Sequence, residues 1–326
     1  MRPYTYATAA TPSQAVGLAT NASAYLAGGT TLVDLMKLDV LGPSSVIDIN
    51  ALALTGTTVD SSGLHIGALS RMSDVATDPN VTNAFPVIAQ ALVASASPQI
   101  RNMASIGGNL LQRTRCDYFR DVNTPCNKRQ AGSGCPAQQG ANRTHAILGT
   151  STSCAATHPS DLAVALMALD AVLTVQSGTG SRQIALADFY QLPGSTPSIE
   201  NTLKIGELIT SVTVPPLAWA TNSSYLKVRD RTSYEFALSS AAIAVQTSGS
   251  TISAARVAVG GVGTIPWRLP SVESALAGKT ASIANFTKAA VNAATGAKTL
   301  AENAFKVTLV QRVIVRALSE LLGVTS

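Results

Sequence analysis

Short apolar runs alternate with Ala-rich stretches of helical spacing from one end of the chain to the other. That alternation predicts an α+β protein built from several units. The first unit reads as a helix over 14–20, with Ser13 a candidate N-cap, a strand over 24–27, a helix over 32–37 and a strand over 46–49. Alternation in Leu64-His-Ile-Gly-Ala-Leu69 opens a second unit, followed by helices near 72–77 and 86–95 and a strongly apolar helix over 161–169. Strands are expected over 171–175, 183–186 and 208–214, the last closed by Pro215-Pro216. A third unit starts near Ser223, with a strand over 225–228, strand or helix over 240–246, and a strand over 254–260. Its tail holds helical stretches near 283–294 and 305–322. No repeat of solenoid period is present.

One stretch breaks the pattern. Residues 116–154 have little periodicity, contain Pro125, Pro136 and Gly132-Ser-Gly134, and read as an insertion held by bound ligands rather than by a core. This stretch contains every cysteine of the chain: Cys116, Cys126, Cys135 and Cys154. Four clustered thiolates are a ligand set for a metal or an iron–sulfur cluster. The gaps of nine, eight and eighteen residues include no tight Cys-x-x-Cys pair, which disfavours zinc. Two disulfides would need an oxidising compartment.

Composition adds one localised fact. The 326 residues are 46% hydrophobic and only 13% charged, which describes a globular chain with a large core and either an uncharged polar surface or faces buried against partner chains. Residues 101–143 hold seven bases (Arg101, Arg113, Arg115, Arg120, Lys128, Arg129, Arg143) and two acids (Asp117, Asp121), so this segment carries the whole net charge of +5. A nucleic-acid binder would spread its bases along a face among aromatics. Here they surround the cysteines, where cations would stabilise an anionic cluster, and no nucleic-acid partner is expected.

The N-terminus lacks the apolar run of a signal peptide, and the most apolar stretch, 162–175, is interrupted by Asp170 and too short to span a bilayer. The chain reads as soluble, without membrane insertion. It would be cytoplasmic, or periplasmic if carried across by a partner's signal.

Two glycine turns remain. In Leu26-Ala-Gly-Gly-Thr-Thr-Leu-Val33 a strand runs into paired glycines and then a helix, a form that can nest an anion on successive N–H groups. It has neither the Gly-x-Gly-x-x-Gly spacing nor a Walker loop, and taken alone it reads as an ordinary strand–helix turn. Ser105-Ile-Gly-Gly-Asn-Leu110 is a second such turn, and together they suggest two ends of one extended phosphate-bearing ligand, with Asn109 on a phosphate or sugar hydroxyl. His65, His145 and His158 show no metal spacing and read as structural or surface residues. Asp161 reads as a helix cap. No Ser/His/Asp arrangement or catalytic carboxylate pair stands out.

The order of these pieces resembles the FAD-binding (medium) subunit of the molybdenum hydroxylases, the xanthine dehydrogenase and aldehyde oxidoreductase group. The matching residues are 26–33, Ser105–Asn109, Pro159-Ser-Asp161, 206–215 and Tyr225-Leu-Lys227. The cysteine segment, with Asn109–Cys116 and Pro125-Cys-Asn-Lys-Arg129, is similar to the [4Fe–4S] insertion of the bacterial periplasmic-type aldehyde oxidoreductases.

The resemblance implies a two-part FAD-binding domain of the molybdenum-hydroxylase flavoprotein (PCMH-like) type: an N-terminal subdomain over 1–53 and a second over 54–220. The second would include the Cys-rich cluster insertion at 112–157, and a C-terminal α+β domain would cover 221–326. Leu26, Ala27, Gly28, Gly29, Thr30, Thr31, Leu32 and Val33 would cradle the FAD pyrophosphate. Ser105, Gly107, Gly108 and Asn109 would clamp it from the other side. Asp161 would hydrogen-bond the nucleotide, Ile209 would lie against it, and Lys227 would reach it as a donor or positive charge. The aromatic residue that some relatives carry about ten positions before Ser105 is here replaced near Ser95. Cys116, Cys126, Cys135 and Cys154 would hold the [4Fe–4S] cluster.

By the same resemblance, a large partner subunit with a molybdenum cofactor oxidises an aldehyde and a small partner with [2Fe–2S] clusters relays the electrons. This chain, with no catalytic residue of its own, passes them through FAD to an external acceptor. The flavin subunit of an aryl-CoA reductase is the nearest rival. A stand-alone FAD oxidase and a zinc-stapled scaffold are rivals of another class.

Overall fold

The structure is a computed structural model and describes residues 1–325. Its twelve strands form three sheets. Strands β1 (Thr5–Thr8), β2 (Ser23–Leu26) and β3 (Ser45–Asp48) make a parallel sheet in the order β1-β3-β2. Strands β4 (Thr57–Asp60), β5 (Gly63–Gly67), β6 (Val172–Ser177), β7 (Gly180–Ala185) and β8 (Leu208–Val214) make an antiparallel sheet in the order β4-β5-β8-β6-β7. The C-terminal sheet, β12-β11-β10-β9, is antiparallel and uses β9 (Ser223–Val228), β10 (Ser239–Ser248), β11 (Thr251–Gly260) and β12 (Trp267–Arg268).

The helix Asp161–Ala168 joins the second and third sheets. Every one of its residues is buried, which explains a composition that is apolar on all sides. It packs with the helix Pro86–Ala94 in the largest hydrophobic core, which takes in Leu64 and Val212 of the five-stranded sheet and Ala242 and Ala258 of the four-stranded one. A second core lies between β10–β11 and the helices Pro270–Leu276, Ile283–Ala290 and Phe305–Leu322. The amphipathic tail helix contributes Val310, Val313, Ile314 and Ala317 at helical spacing.

Several local expectations change. The first helix runs Pro12–Leu18 and is capped by Thr11, which accepts from the Gln14 N–H at 3.2 Å, rather than by Ser13. Residues 239–248 are strand throughout. Ser105–Leu110 is not a turn: residues Ile106–Leu110 are helical, with the Ser105 hydroxyl accepting from the Gly108 N–H at 3.2 Å. Asp161 does not cap its helix; Ser160 does, accepting from the Ala163 N–H at 2.9 Å. The mostly exposed strand β4 and the short helices Pro79–Ala84 and Pro98–Met103 had no strong periodic signal.

The insertion has more of its own packing than the sequence suggests. Phe119, from the short helix Asp117–Arg120, is buried against Leu35 and Cys126. Its bases do not simply ring the cysteines. Arg115 and Arg120 meet Asp34 at 3.1 and 2.8 Å, Arg113 and Lys128 meet Glu200, and Arg143 meets Asp230 at 2.7 Å. Arg129 is turned inward onto the carbonyls of Tyr118, Phe119 and Thr124. The excess positive charge therefore fastens the insertion to acids elsewhere in the chain. Among the described residues no helix is long and apolar enough to cross a membrane.

Candidate functional site

The first glycine stretch leaves β2 and enters the helix Leu32–Lys37. Gly29 has φ +72°, a left-handed conformation that glycine adopts without steric cost. Gly28 serves a different purpose: a Cβ there would run into the Met103 carbonyl oxygen. Its bare backbone lets the first glycine stretch lie directly against the residues that lead into the second. Two side chains lock that approach. Arg71 donates to the Met103 carbonyl at 2.6 Å and to Asn50 Oδ1 at 3.0 Å, and Asn50 Nδ2 donates to the Ala27 carbonyl at 3.0 Å. Sequence reading missed both Arg71 and Asn50, because neither lies in a motif.

The two stretches differ in what they can offer an anion. The N–H groups of Thr30, Thr31 and Leu32 have no acceptor among the described residues. At the second stretch the amides are already engaged: Ile106 donates to the Ser70 carbonyl at 3.0 Å, Gly107 to that of Ala68 at 2.8 Å, and Asn109 to that of Ser105 at 2.8 Å. The first stretch is thus an open nest, whereas the second supplies close approach and a fixed wall.

A cavity of about 450 Å³ opens beside them. Thr30, Thr31, Gly108 and Asn109 border it, as do Asp161 and Lys227, so residues from all three sheet regions meet there. Asp161 and Lys227 form an ion pair at 2.8 Å, with side chains 6% and 3% exposed. The same carboxylate accepts from Tyr225 at 2.6 Å and from Ser95 at 3.0 Å. Burial, and the neighbouring Asp161 charge, push the Tyr225 phenol well above its ordinary range, so it stays a donor. Ser95, at about the place where some relatives carry an aromatic ring, instead donates its hydroxyl to Asp161. Asn109 accepts from Ser160 at 2.6 Å and borders the cavity with its amide turned to Met72 Sδ at 3.2 Å.

Other wall residues carry no motif. The segment after β9 brings Arg231, Tyr234, Glu235 and Phe236 to the cavity, with the Tyr234 backbone at φ +53° and both rings partly exposed. The mixture of charged and aromatic residues in 229–236 was the one sequence signal available. Asp34, held below the usual carboxylate range chiefly by its hydrogen bond to Arg120, also borders the cavity. Leu26, Ala27, Leu32 and Val33 frame the first stretch without bordering this cavity, and Ile209 sits in β8 opposite Val175, buried in the main core.

All four cysteines are free and border one small cavity, together with His145, Tyr118 and Lys128. Burial pushes the Cys116 thiol up to about 12 and raises that of Cys154. No group of three or more His, Cys, Asp or Glu among the described residues is arranged for a single metal ion. A third cavity, about 210 Å³, shares Cys116 and His145 with the cysteine-lined cavity and Asp161 and Phe236 with the large one.

Residues 2–217 match the family model described as the FAD binding domain in molybdopterin dehydrogenase, and residues 224–321 match the CO dehydrogenase flavoprotein C-terminal domain. The chain belongs to the FAD-binding medium subunits of the molybdenum hydroxylases. It is 46% identical over 324 residues, 98% of both chains, to the aldehyde oxidoreductase FAD-binding subunit PaoB of Escherichia coli (strain K12). It is 30% identical over 255 residues to the glyceraldehyde dehydrogenase medium chain of Sulfolobus acidocaldarius, covering 78% of this chain and 73% of that one. The fold is that of carbon monoxide dehydrogenase from Hydrogenophaga pseudoflava, with a TM-score of 0.77 at 22% identity over 99% of this chain and 98% of that one. This medium subunit is accordingly an FAD-binding oxidoreductase subunit with an α+β FAD-binding domain and a CO-dehydrogenase-type C-terminal domain.

Proposed function

We propose that this medium subunit carries FAD and one [4Fe–4S] cluster and conducts electrons in a molybdenum-dependent aldehyde oxidoreductase. Its units would be 1–53, 54–220 with the insertion at 112–157, and 221–326. The carrying observation is the adjacency of the two cavities: Arg115 borders the large one and its neighbour Cys116 borders the cysteine-lined one. The likeness to PaoB along 98% of both chains favours an aldehyde as the reductant of the complex.

The residues present fit both groups. The unengaged amides of Thr30, Thr31 and Leu32 suit a pyrophosphate, with Ser105, Gly107, Gly108 and Asn109 as the opposing wall. Asp161 and Lys227 would face the nucleotide farther into the cavity, Tyr234 and Phe236 offer rings, and Ile209 supports the site from the core. Four free cysteines around one cavity suit a cubane, whose ligands stand farther apart than those of one ion. FAD, when bound, exchanges electrons singly or in pairs and so links one-electron relays to a two-electron reaction.

The chain's own contribution is to hold these groups. The Arg71–Asn50 brace keeps the glycine stretches together, and the Asp34 pairs with Arg115 and Arg120 tie the insertion to the helix that follows the nest. The Lys227 cation would favour a more negative reduced flavin when FAD is bound. The aldehyde would react on a large molybdenum subunit, with a small [2Fe–2S] subunit as the relay and an external acceptor as the outlet.

The test is anaerobic purification of the co-expressed complex with flavin and iron quantified on this chain. The expected result is about one FAD and about four irons beyond those of the partner clusters. Cys126→Ser should lose those irons, whereas zinc in their place would sink the cluster assignment. Activity with aryl-CoA thioesters and none with aromatic aldehydes would replace the substrate class.

A further inference from the structure

His145, read from sequence as a structural histidine, has the surroundings of a residue built for one contact. Its Nε2 lies 3.2 Å from Cys116 Sγ. Its Nδ1 is buried and has no partner among the described residues, so the sulfur is the ring's single polar contact. The ring borders both the cysteine cavity and the cavity that leads toward Asp161 and Phe236.

Its backbone is fixed from the C-terminal region. The His145 N–H donates to the Asn142 carbonyl at 3.0 Å, and Asn142 is itself clamped to Glu302 by reciprocal bonds of 2.8 and 2.9 Å. The His145 carbonyl accepts from Asn303 at 3.3 Å, and the preceding Thr144 carbonyl accepts from the buried Lys306 at 2.9 Å. Three polar side chains at the start of the tail helix thus set where the imidazole meets the cysteine loop.

We propose that His145 is a positioning residue for the iron–sulfur centre, its Nε2–H donating to the Cys116 sulfur and raising the centre's reduction potential. The inference rests on the four-iron reading given above. A ligating thiolate can only accept a hydrogen bond, so the proton belongs on Nε2. Reduction adds negative charge to the centre and its sulfurs, and an N–H pointed at one of them stabilises the reduced form more than the oxidised one.

The experiment is an EPR-monitored redox titration of the four-iron signal in the assembled complex. H145M, which removes the donor, should lower the midpoint potential at unchanged iron and FAD content. H145Q, whose amide N–H falls near the Nε2 position, should restore it toward the native value. A native midpoint in iron-replete H145M would overturn the proposal. If H145M fails to hold iron, the native complex labelled with ¹⁵N-histidine decides. Weak nitrogen coupling to the reduced centre supports a hydrogen-bonded ring, while the strong coupling of a ligated nitrogen, or none, overturns it. A native complex with no four-iron centre on this chain removes the parent reading itself, a result distinct from an unchanged potential.

Discussion

The Asp161 carboxylate stands 2.8 Å from the Lys227 ammonium, and both side chains are almost fully buried at the wall of the 450 Å³ cavity. A buried pair is far more costly to break from one side than to remove whole, because the survivor keeps its charge without compensation. Asp161→Asn should therefore destabilise the protein by about 3–5 kcal/mol. The double variant with Lys227→Met should lose less than the sum of the two single changes. Chemical unfolding of all three variants measures the coupling, and flavin absorbance on the purified complex reports whether the cavity still binds.

Gly28 and Gly29 separate two roles in one motif. Gly28→Ala places a methyl against the Met103 carbonyl, so the two glycine stretches must part, at a cost of about 1–3 kcal/mol. Gly29→Ala meets only side-chain atoms of Val33 and Leu26 at 3.2 and 3.3 Å, but it puts an alanine at φ +72°. FAD occupancy should fall more in Gly28→Ala than in Gly29→Ala, with the iron of the proposed cluster retained in both. Equal occupancy would show that the close approach to Met103 does not matter for binding.

Lys306 links pH to stability. Its side chain is fully buried and donates to the carbonyls of Thr144 and Gly261 at 2.9 and 2.6 Å, and burial lowers its pKa from 10.5 to about 7. Between those values the unfolded chain holds a proton that the folded chain has released, so this residue makes stability rise as pH climbs from about 7 toward 10.5. Below that window the folded state carries the full burial penalty. Lys306→Met should flatten this slope, seen in urea midpoints at pH 7 and 9. It should also lower stability at pH 9 by about 1–3 kcal/mol, because two carbonyls lose their donor.

Asp34 is shared by Arg115 and Arg120 and is about one-third exposed, so solvent screening limits what the pairs contribute to global stability. Asp34→Asn should leave the thermal midpoint nearly unchanged. Its effect should be local: faster protease cleavage within 116–135 and faster loss of the proposed cluster's iron on dilution, because packing of Phe119 on Leu35 is then left to tie the insertion to the helix Leu32–Lys37.

Much of the second and third regions was legible along the chain. The strand over 208–214 and the helices over 72–77 and 305–322 keep their expected limits, since each has a clear period and a marked boundary. The short helix at Ile106–Leu110 was read as a turn because two glycines mask a five-residue element that is stabilised by Ser105 and by the carbonyls of Ala68 and Ser70. The cap at residue 161 was displaced by one position because Ser160 and Asp161 both suit a helix start, and only the surroundings of the carboxylate distinguish them.

The sequence by itself determined most of the longer elements' types, the family order of motifs and the gathering of four cysteines in one segment, because these follow from local period and residue type. Tertiary structure decided which chemistry those residues can perform. It set Asp161 against Lys227, Tyr225 and Ser95 across long separations, engaged the amides of the second glycine stretch while leaving the first open, and turned most of the insertion's bases toward distant acids. Charge pairing, burial and close approach depend on distances between segments remote in sequence, and no local pattern encodes them. His145 is the sharpest case: an isolated histidine in the sequence, it lies against Cys116 in the fold while Asn303 of the C-terminal region holds its carbonyl.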